Sequence, residues 1–208
     1  MADDGSASRS PLPQRADTNT GPEAPSAGQQ EDWKQRPPYL IQSPERFGDV
    51  RWSASCHCGR VTYQLKRERP LNTKFCHCRG CQVLHGAPFQ WCAIFPKAAI
   101  SFTHGAEGLA FYSATEKSHN YRTPCKVSCA YCRTPIMDEG RNTCLLFPEL
   151  IDFGCTEEGQ KQRRKAFEVS CHIFYSRRVV EIMDGKPKWS GIDNRSELLD
   201  DYGNKVET

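Results

Sequence analysis

Seven of the chain's twelve cysteines fall into three tight groups. The first is Cys56-His57-Cys58-Gly59, the second Cys76-His77-Cys78-Arg79-Gly80-Cys81 and the third Cys129-Ala130-Tyr131-Cys132. Thiolates are soft ligands that zinc binds at about 2.3 Å in a tetrahedron, and a tight turn carrying two of them supplies half of one. Cys-x-x-Cys is the usual knuckle. Cys-x-Cys also chelates, because alternate side chains of an extended chain point the same way. Seven divides naturally into four and three. The turns at Cys56/Cys58 and Cys129/Cys132 together close a four-thiolate site, which has no open position and serves to hold a fold together. Cys76, Cys78 and Cys81 leave a tetrahedral metal one ligand short, the pattern of a zinc that takes water or substrate. Two zinc ions per chain are therefore expected, one structural and one at a candidate active site.

The neighbouring residues sort by position. His57 and His77 sit between the cysteines of the two Cys-His-Cys turns, where the middle side chain points away from a metal, so neither reads as a ligand. His85 follows the three-cysteine group closely and is a candidate fourth ligand or proton carrier. Arg79 is a candidate for holding a substrate carboxylate, against the simpler reading of an exposed, solvated arginine. His172 lies in a strand pattern and reads as packed. Cys92, Cys125, Cys144, Cys155 and Cys171 read as small buried apolar residues, with Cys125 a weaker alternative ligand.

These groups must be positioned by short strands. The apolar runs Val61–Leu65, Trp91–Phe95, Ile100–Thr103, Leu109–Tyr112, Lys126–Cys129, Cys144–Phe147, Glu168–Phe174 and Val179–Met183 are brief, and turn residues separate them. That pattern predicts an all-β fold, mainly antiparallel. One short helix is expected, around Gly80–Leu84. The basic run Lys161-Gln-Arg-Arg-Lys165 reads as a solvated loop. Residues 1–45 are rich in Pro, Ser, Gly, Gln, Asp and Glu and read as disordered, though Arg36–Ile41 has the composition of an arm that lies against the domain. The zinc domain is expected over residues 46–192, followed by a polar tail at 193–208.

Composition excludes several classes. The 208 residues carry a formal net charge of only +3, too little and too scattered for a nucleic-acid binder. No apolar run approaches the roughly 20 residues that span a bilayer. The start, Met-Ala-Asp-Asp-Gly-Ser, has neither the basic nor the apolar segment of an export signal, which leads to the expectation of a cytoplasmic or nuclear protein. In that reducing setting clustered cysteines bind metal rather than form disulfides.

The order of the motifs carries a resemblance. Cys56-His-Cys-Gly-Arg-Val-Thr-Tyr63, Cys76-His-Cys-Arg-Gly-Cys81, Gly86-Ala-Pro-Phe89, Cys129-Ala-Tyr-Cys132 and His172-Ile-Phe174 together resemble the glutathione-dependent formaldehyde-activating enzyme family, which includes centromere protein V. The resemblance spans roughly Trp52 to Trp189. It implies antiparallel sheets stacked around a structural zinc, similar to the zinc fold of the Rab exchange factor. It implies structural ligands at Cys56, Cys58, Cys129 and Cys132 and a second zinc at Cys76, Cys78 and Cys81. The activity it implies is that of a carbon–sulfur lyase of the S-hydroxymethylglutathione synthase type, with glutathione and formaldehyde or a related aldehyde as partners. The alternative is a non-catalytic, zinc-stabilised interaction module. Two departures stand out. Gly usually follows the third motif, and Arg133 in its place implies a turn built differently; His85 stands where the family often has Ser.

Overall fold

The structure, a computed structural model, describes residues 32–207. In chain order its elements begin with α1 (Pro44–Phe47), β1 (Trp52–Ser55), β2 (Thr62–Leu65), β3 (Asn72–Cys76), α2 (Arg79–His85), β4 (Gln90–Pro96) and β5 (Ile100–His104). They continue with β6 (Leu109–Tyr112), β7 (Cys125–Cys129), β8 (Pro135–Glu139), β9 (Thr143–Leu146), α3 (Glu157–Ala166), β10 (Cys171–Ile173), β11 (Lys188–Trp189) and β12 (Leu198–Leu199). The fold is mainly β, as the short runs predict. Strands β1-β2-β5 form one antiparallel sheet, and β12-β11-β10-β3-β4-β9-β8-β7-β6 form a second. The second sheet is mixed, because β10 pairs in parallel with both β3 and β11.

A shared core joins the two sheets. Tyr63, Leu65 and Phe102 from the small sheet cluster with Phe95, Ile136 and Leu146 from the large one. Strand alternation explains the selection: β2 and β7 bury every second residue, as one-sided strands do. Phe95 is fully buried, and emptying such a site costs about 3–5 kcal/mol.

Four expectations are corrected. The reading of residues 1–45 as disordered falls, for 1–31, outside the described residues. Within 32–45, Tyr39 packs on the domain as the arm reading of Arg36–Ile41 expects, and Trp33, outside that arm, is buried too; the two rings meet edge to face at 4.7 Å. The Tyr39 hydroxyl donates to buried Glu139 at 2.7 Å, which also holds Tyr121 at 2.9 Å and Lys97 at 2.5 Å. The basic run lies in α3, not a loop; Thr156 caps it by accepting from the Gly159 N–H, acidic Glu157 and Glu158 open it, and Arg163, Arg164 and Lys165 close it, in accord with the helix dipole. Val179–Met183 is irregular rather than a strand, with both Val179 and Met183 exposed. Cys155 is exposed, since it sits in the turn that leads into α3, whereas Cys92, Cys125, Cys144 and Cys171 are buried as expected.

Candidate metal centres

The first cysteine group follows β1, and the third begins at the last residue of β7. The fold brings their thiols together: Cys56, Cys58, Cys129 and Cys132 lie within 4.8 Å of one another. Cys56 and Cys58 sulfurs are 3.4 Å apart, and Cys58 and Cys129 3.9 Å. Four sulfurs about 2.3 Å from a central zinc would sit roughly 3.8 Å apart, so the set fits that ion. The turns are also tied directly. The His57 N–H donates to Thr134 Oγ1 at 3.2 Å, and the Arg60 guanidinium lies 4.7 Å from the centre of the Tyr131 ring. Thr134 Oγ1 also lies 3.1 Å from the Cys132 sulfur, and that contact pulls the half-buried Cys132 thiol down to about 5.

Each turn ends in a left-handed residue. Gly59 follows Cys58 at φ 73°, and Arg133 follows Cys132 at φ 64°. The expectation of a different third turn is thus overturned: Arg133 takes the conformation itself and donates its N–H to the Cys129 carbonyl at 2.9 Å. A side chain there costs about 1–2 kcal/mol that glycine avoids.

Cys76, Cys78 and Cys81 form the second set, again within 4.8 Å of one another. Cys76 ends β3, Cys78 caps α2 and Cys81 lies one turn in; the Cys78 sulfur accepts the Cys81 N–H at 3.4 Å. Gly86 stops the helix in a left-handed conformation at φ 58°, the usual helix-ending role of glycine. The buried Gln82 amide clamps the turn by donating to the carbonyls of His77 and Arg177, each at 2.9 Å. Sulfurs of Cys76 and Cys81 are 3.6 Å apart. That contact draws the Cys76 thiol down to about 6 and pushes Cys81 up. Three thiols so close cannot all ionise without a cation, and a zinc fits both the donors and the spacing. Among the described residues no other His, Cys, Asp or Glu joins this set within that distance. His85 therefore does not complete it.

His85 instead stands between two pockets, of about 240 and 220 Å³. Gln90, Trp91, Phe147 and Thr134 line the first, and Lys126, Asp138, Arg133 and Tyr112 line the second. The imidazole rests edge-on against Phe147 at 5.0 Å. Burial lowers its pKa, and the Asp138 charge partly opposes that. Sequence reasoning missed Lys126 and Asp138, which face each other across β7 and β8 and pair at 2.5 Å, and Gln90, whose amide donates to Asp138 at 2.9 Å. Only their tertiary register reveals them. Four buried polar atoms here have no partner: His85 Nε2, Gln90 Oε1, Trp91 Nε1 and Asp138 Oδ1. Buried polar atoms are normally paired, so the pockets are prepared for a polar occupant. Arg79 is exposed on the first turn of α2 and lines neither of these two pockets. Cys125 lies beside Glu139 at 3.8 Å and belongs to neither set.

A family model described as glutathione-dependent formaldehyde-activating enzyme matches residues 51–177, a span that holds all seven cysteines of both sets. The chain belongs to that family. No curated protein matches the chain. Among solved structures, a protein of Rhodobacter sphaeroides determined as a structural-genomics target aligns with 52% of this chain and 94% of its own, at 18% identity and a TM-score of 0.40. A likeness that faint adds nothing to the family assignment. No helix among the described residues is long and apolar enough to cross a membrane.

Proposed function

We propose that this chain is a zinc-dependent carbon–sulfur lyase that makes or cleaves the adduct of a thiol, glutathione or a close analogue, with formaldehyde or a related aldehyde. The observation that carries the reading is the three-thiol set, which among the described residues has no fourth protein donor. Membership of the formaldehyde-activating family supplies the substrate class. In this reading Cys56, Cys58, Cys129 and Cys132 hold a structural zinc, and Cys76, Cys78 and Cys81 hold a second. A zinc bound at the second set would lower the pKa of an incoming thiol and keep it as thiolate at neutral pH.

The chain's own groups then supply position and protons. His85 is held neutral by burial, and its unpaired Nε2 can take the proton released as the thiol ionises and return it to the aldehyde oxygen as the carbon–sulfur bond forms. Lys126 is close enough to lower the Cys76 thiol by its charge, and it offers a cation to the developing alkoxide. Trp91 Nε1 and Gln90 Oε1, a free donor and a free acceptor, suit the peptide groups of a glutathione-like thiol. Arg79, exposed as it is, would meet only the outer carboxylates of such a substrate.

Cobalt-substituted protein titrated with glutathione tests this directly. A sulfur-to-metal charge-transfer band should grow as the thiol binds. Binding releases the thiol proton, so affinity should rise about ten-fold per pH unit and level off near pH ~8.5, where the free thiol ionises. No spectral change at any thiol concentration would remove the enzyme reading and leave a zinc-stabilised interaction module.

A further inference from the structure

His77 is buried completely although it sits between two cysteines of the three-thiol set. Its Nε2 lies 2.9 Å from His172 Nδ1. His172, equally buried, places its Nε2 2.9 Å from an Asp184 carboxylate oxygen. Asp184 is held in turn by the buried Lys188 ammonium at 2.9 Å, and Lys188 reaches Asp201 at 2.7 Å. Tyr175 seals this row, with its ring edge-on to His77 at 5.1 Å and to His172 at 5.4 Å. Its hydroxyl accepts the Ile182 N–H and donates to the Asp201 carbonyl, each at 2.9 Å.

The row has a direction. Burial works against the Asp184 charge, but the Lys188 and His172 hydrogen bonds outweigh it and hold the carboxyl well below the usual range. An ionised carboxylate only accepts, so His172 must carry its proton on Nε2. Neutral His172 then presents a lone pair at Nδ1, which accepts from a proton on His77 Nε2. His77 Nδ1 is left bare, and it is a buried nitrogen with no partner. One charged group thus sets the tautomer and ring orientation of two imidazoles. Asp184, Lys188 and Asp201 all lie beyond Arg177, where the family match ends.

We propose that Asp184, through His172 and His77, is a positioning residue for the Cys76–Cys78 turn, so that the segment after the family match sets the geometry of the three-thiol site. The inference rests on reading that site as a metal centre. Groups that orient a metal's ligands typically alter affinity by about 10–100-fold when removed. Although His77 is no ligand, it is covalently between two of them, and a ring held by His172 and packed against Phe89 and Tyr175 fixes the backbone that carries both thiols.

The test uses the protein as purified. Imidazole nitrogen-15 spectra of the unmodified chain should show His77 protonated at Nε2 and bare at Nδ1. Asp184→Asn should disturb that pattern and release the metal of the three-thiol site to a chelator about ten-fold faster, while the four-thiol metal keeps its rate. Asp184→Glu should restore part of the difference. Ser176→Ala, which removes only the tie from Ser176 to the Ser190 carbonyl at 2.8 Å, should change neither readout. A proton on His77 Nδ1 in the unmodified protein, equal loosening of both metals by Asp184→Asn, or a Ser176→Ala effect as large as that of Asp184→Asn would overturn the proposal. A protein found to hold one metal instead of two would defeat the proposed function, and the spectra would still decide the tautomer row.

Discussion

The two cysteine sites differ in what they connect. The four-thiol set joins a turn after β1, in the small sheet, to a turn at the end of β7, in the large one. The Cys58–Cys129 contact between the two groups spans 71 residues of chain. The three-thiol set is assembled between the end of β3 and the first turn of α2 and bridges nothing. One site is therefore a clamp across the core, and the other is a local cup whose shape depends on packing around it. Under the proposed function, the separation of the donors along the chain, and not only their number, would set a structural metal apart from a functional one.

The sharpest break in that comparison is Cys129→Ser against Cys78→Ser. Structural zinc contributes on the order of 10 kcal/mol to the folding of small zinc modules, so Cys129→Ser should leave most of the chain unfolded at 37 °C by circular dichroism. Cys78→Ser should keep a cooperative melt and lose turnover. Equal losses of thermal stability would erase the distinction. Next in size, a mild chelator should strip one metal within the time needed for the other to stay fully bound, with the near-ultraviolet spectrum retained; one class of tightly held zinc would contradict two unlike sites. His85→Ala should slow turnover by about 10²-fold or more and leave metal content and melting unchanged, since His85 is in neither set. A matching loss of metal would make it a ligand after all.

The smallest effects fall on the paired turns of the clamp. Gly59→Ala meets open space, yet puts a side chain at φ 73°, so it should cost about 1 kcal/mol. Arg133→Gly relieves the same strain but loosens the unfolded chain by about 0.4–1 kcal/mol, and its urea midpoint should barely move. A large gain would mean that the Arg133 side chain, and not only its backbone, is held under strain.

Much of this site was legible in the sequence because thiol spacing is a local property. Cys76, Cys78 and Cys81 announce themselves within six residues, and the short helix expected around Gly80–Leu84 is found at Arg79–His85. What sequence reading missed depends on contacts between distant segments. His77 and His172 meet across 95 residues, and neither position alone shows a partner. Strand β8 was overlooked because it opens on Pro135 and ends on acidic Asp138 and Glu139, although Glu139 is among the most buried groups in the protein. Strand β11 contains Lys188, which reads as surface and is nearly fully buried. Helix α3 lacks an apolar stripe, so its basic run read as a solvated loop despite the Thr156 cap and the acidic-to-basic charge order. Tyr39 falls in the arm read at Arg36–Ile41, whereas Trp33, just before it, was hidden by the polar composition around it.

That last stretch bears on how the molecule can be divided. The Tyr39 hydroxyl and the Lys97 ammonium meet at the same buried carboxylate of Glu139, and Trp33 and Tyr39 belong to the central cluster. A fragment trimmed to the matching span, 51–177, would expose Phe111 and Phe102, take one hydroxyl from a buried anion and remove the lysine and aspartates beneath His172. Homology draws its border inside the cooperative unit. For a crystallographer choosing termini or an evolutionist tracing shuffled modules, the smallest portable piece of this chain is wider than the piece its relatives share.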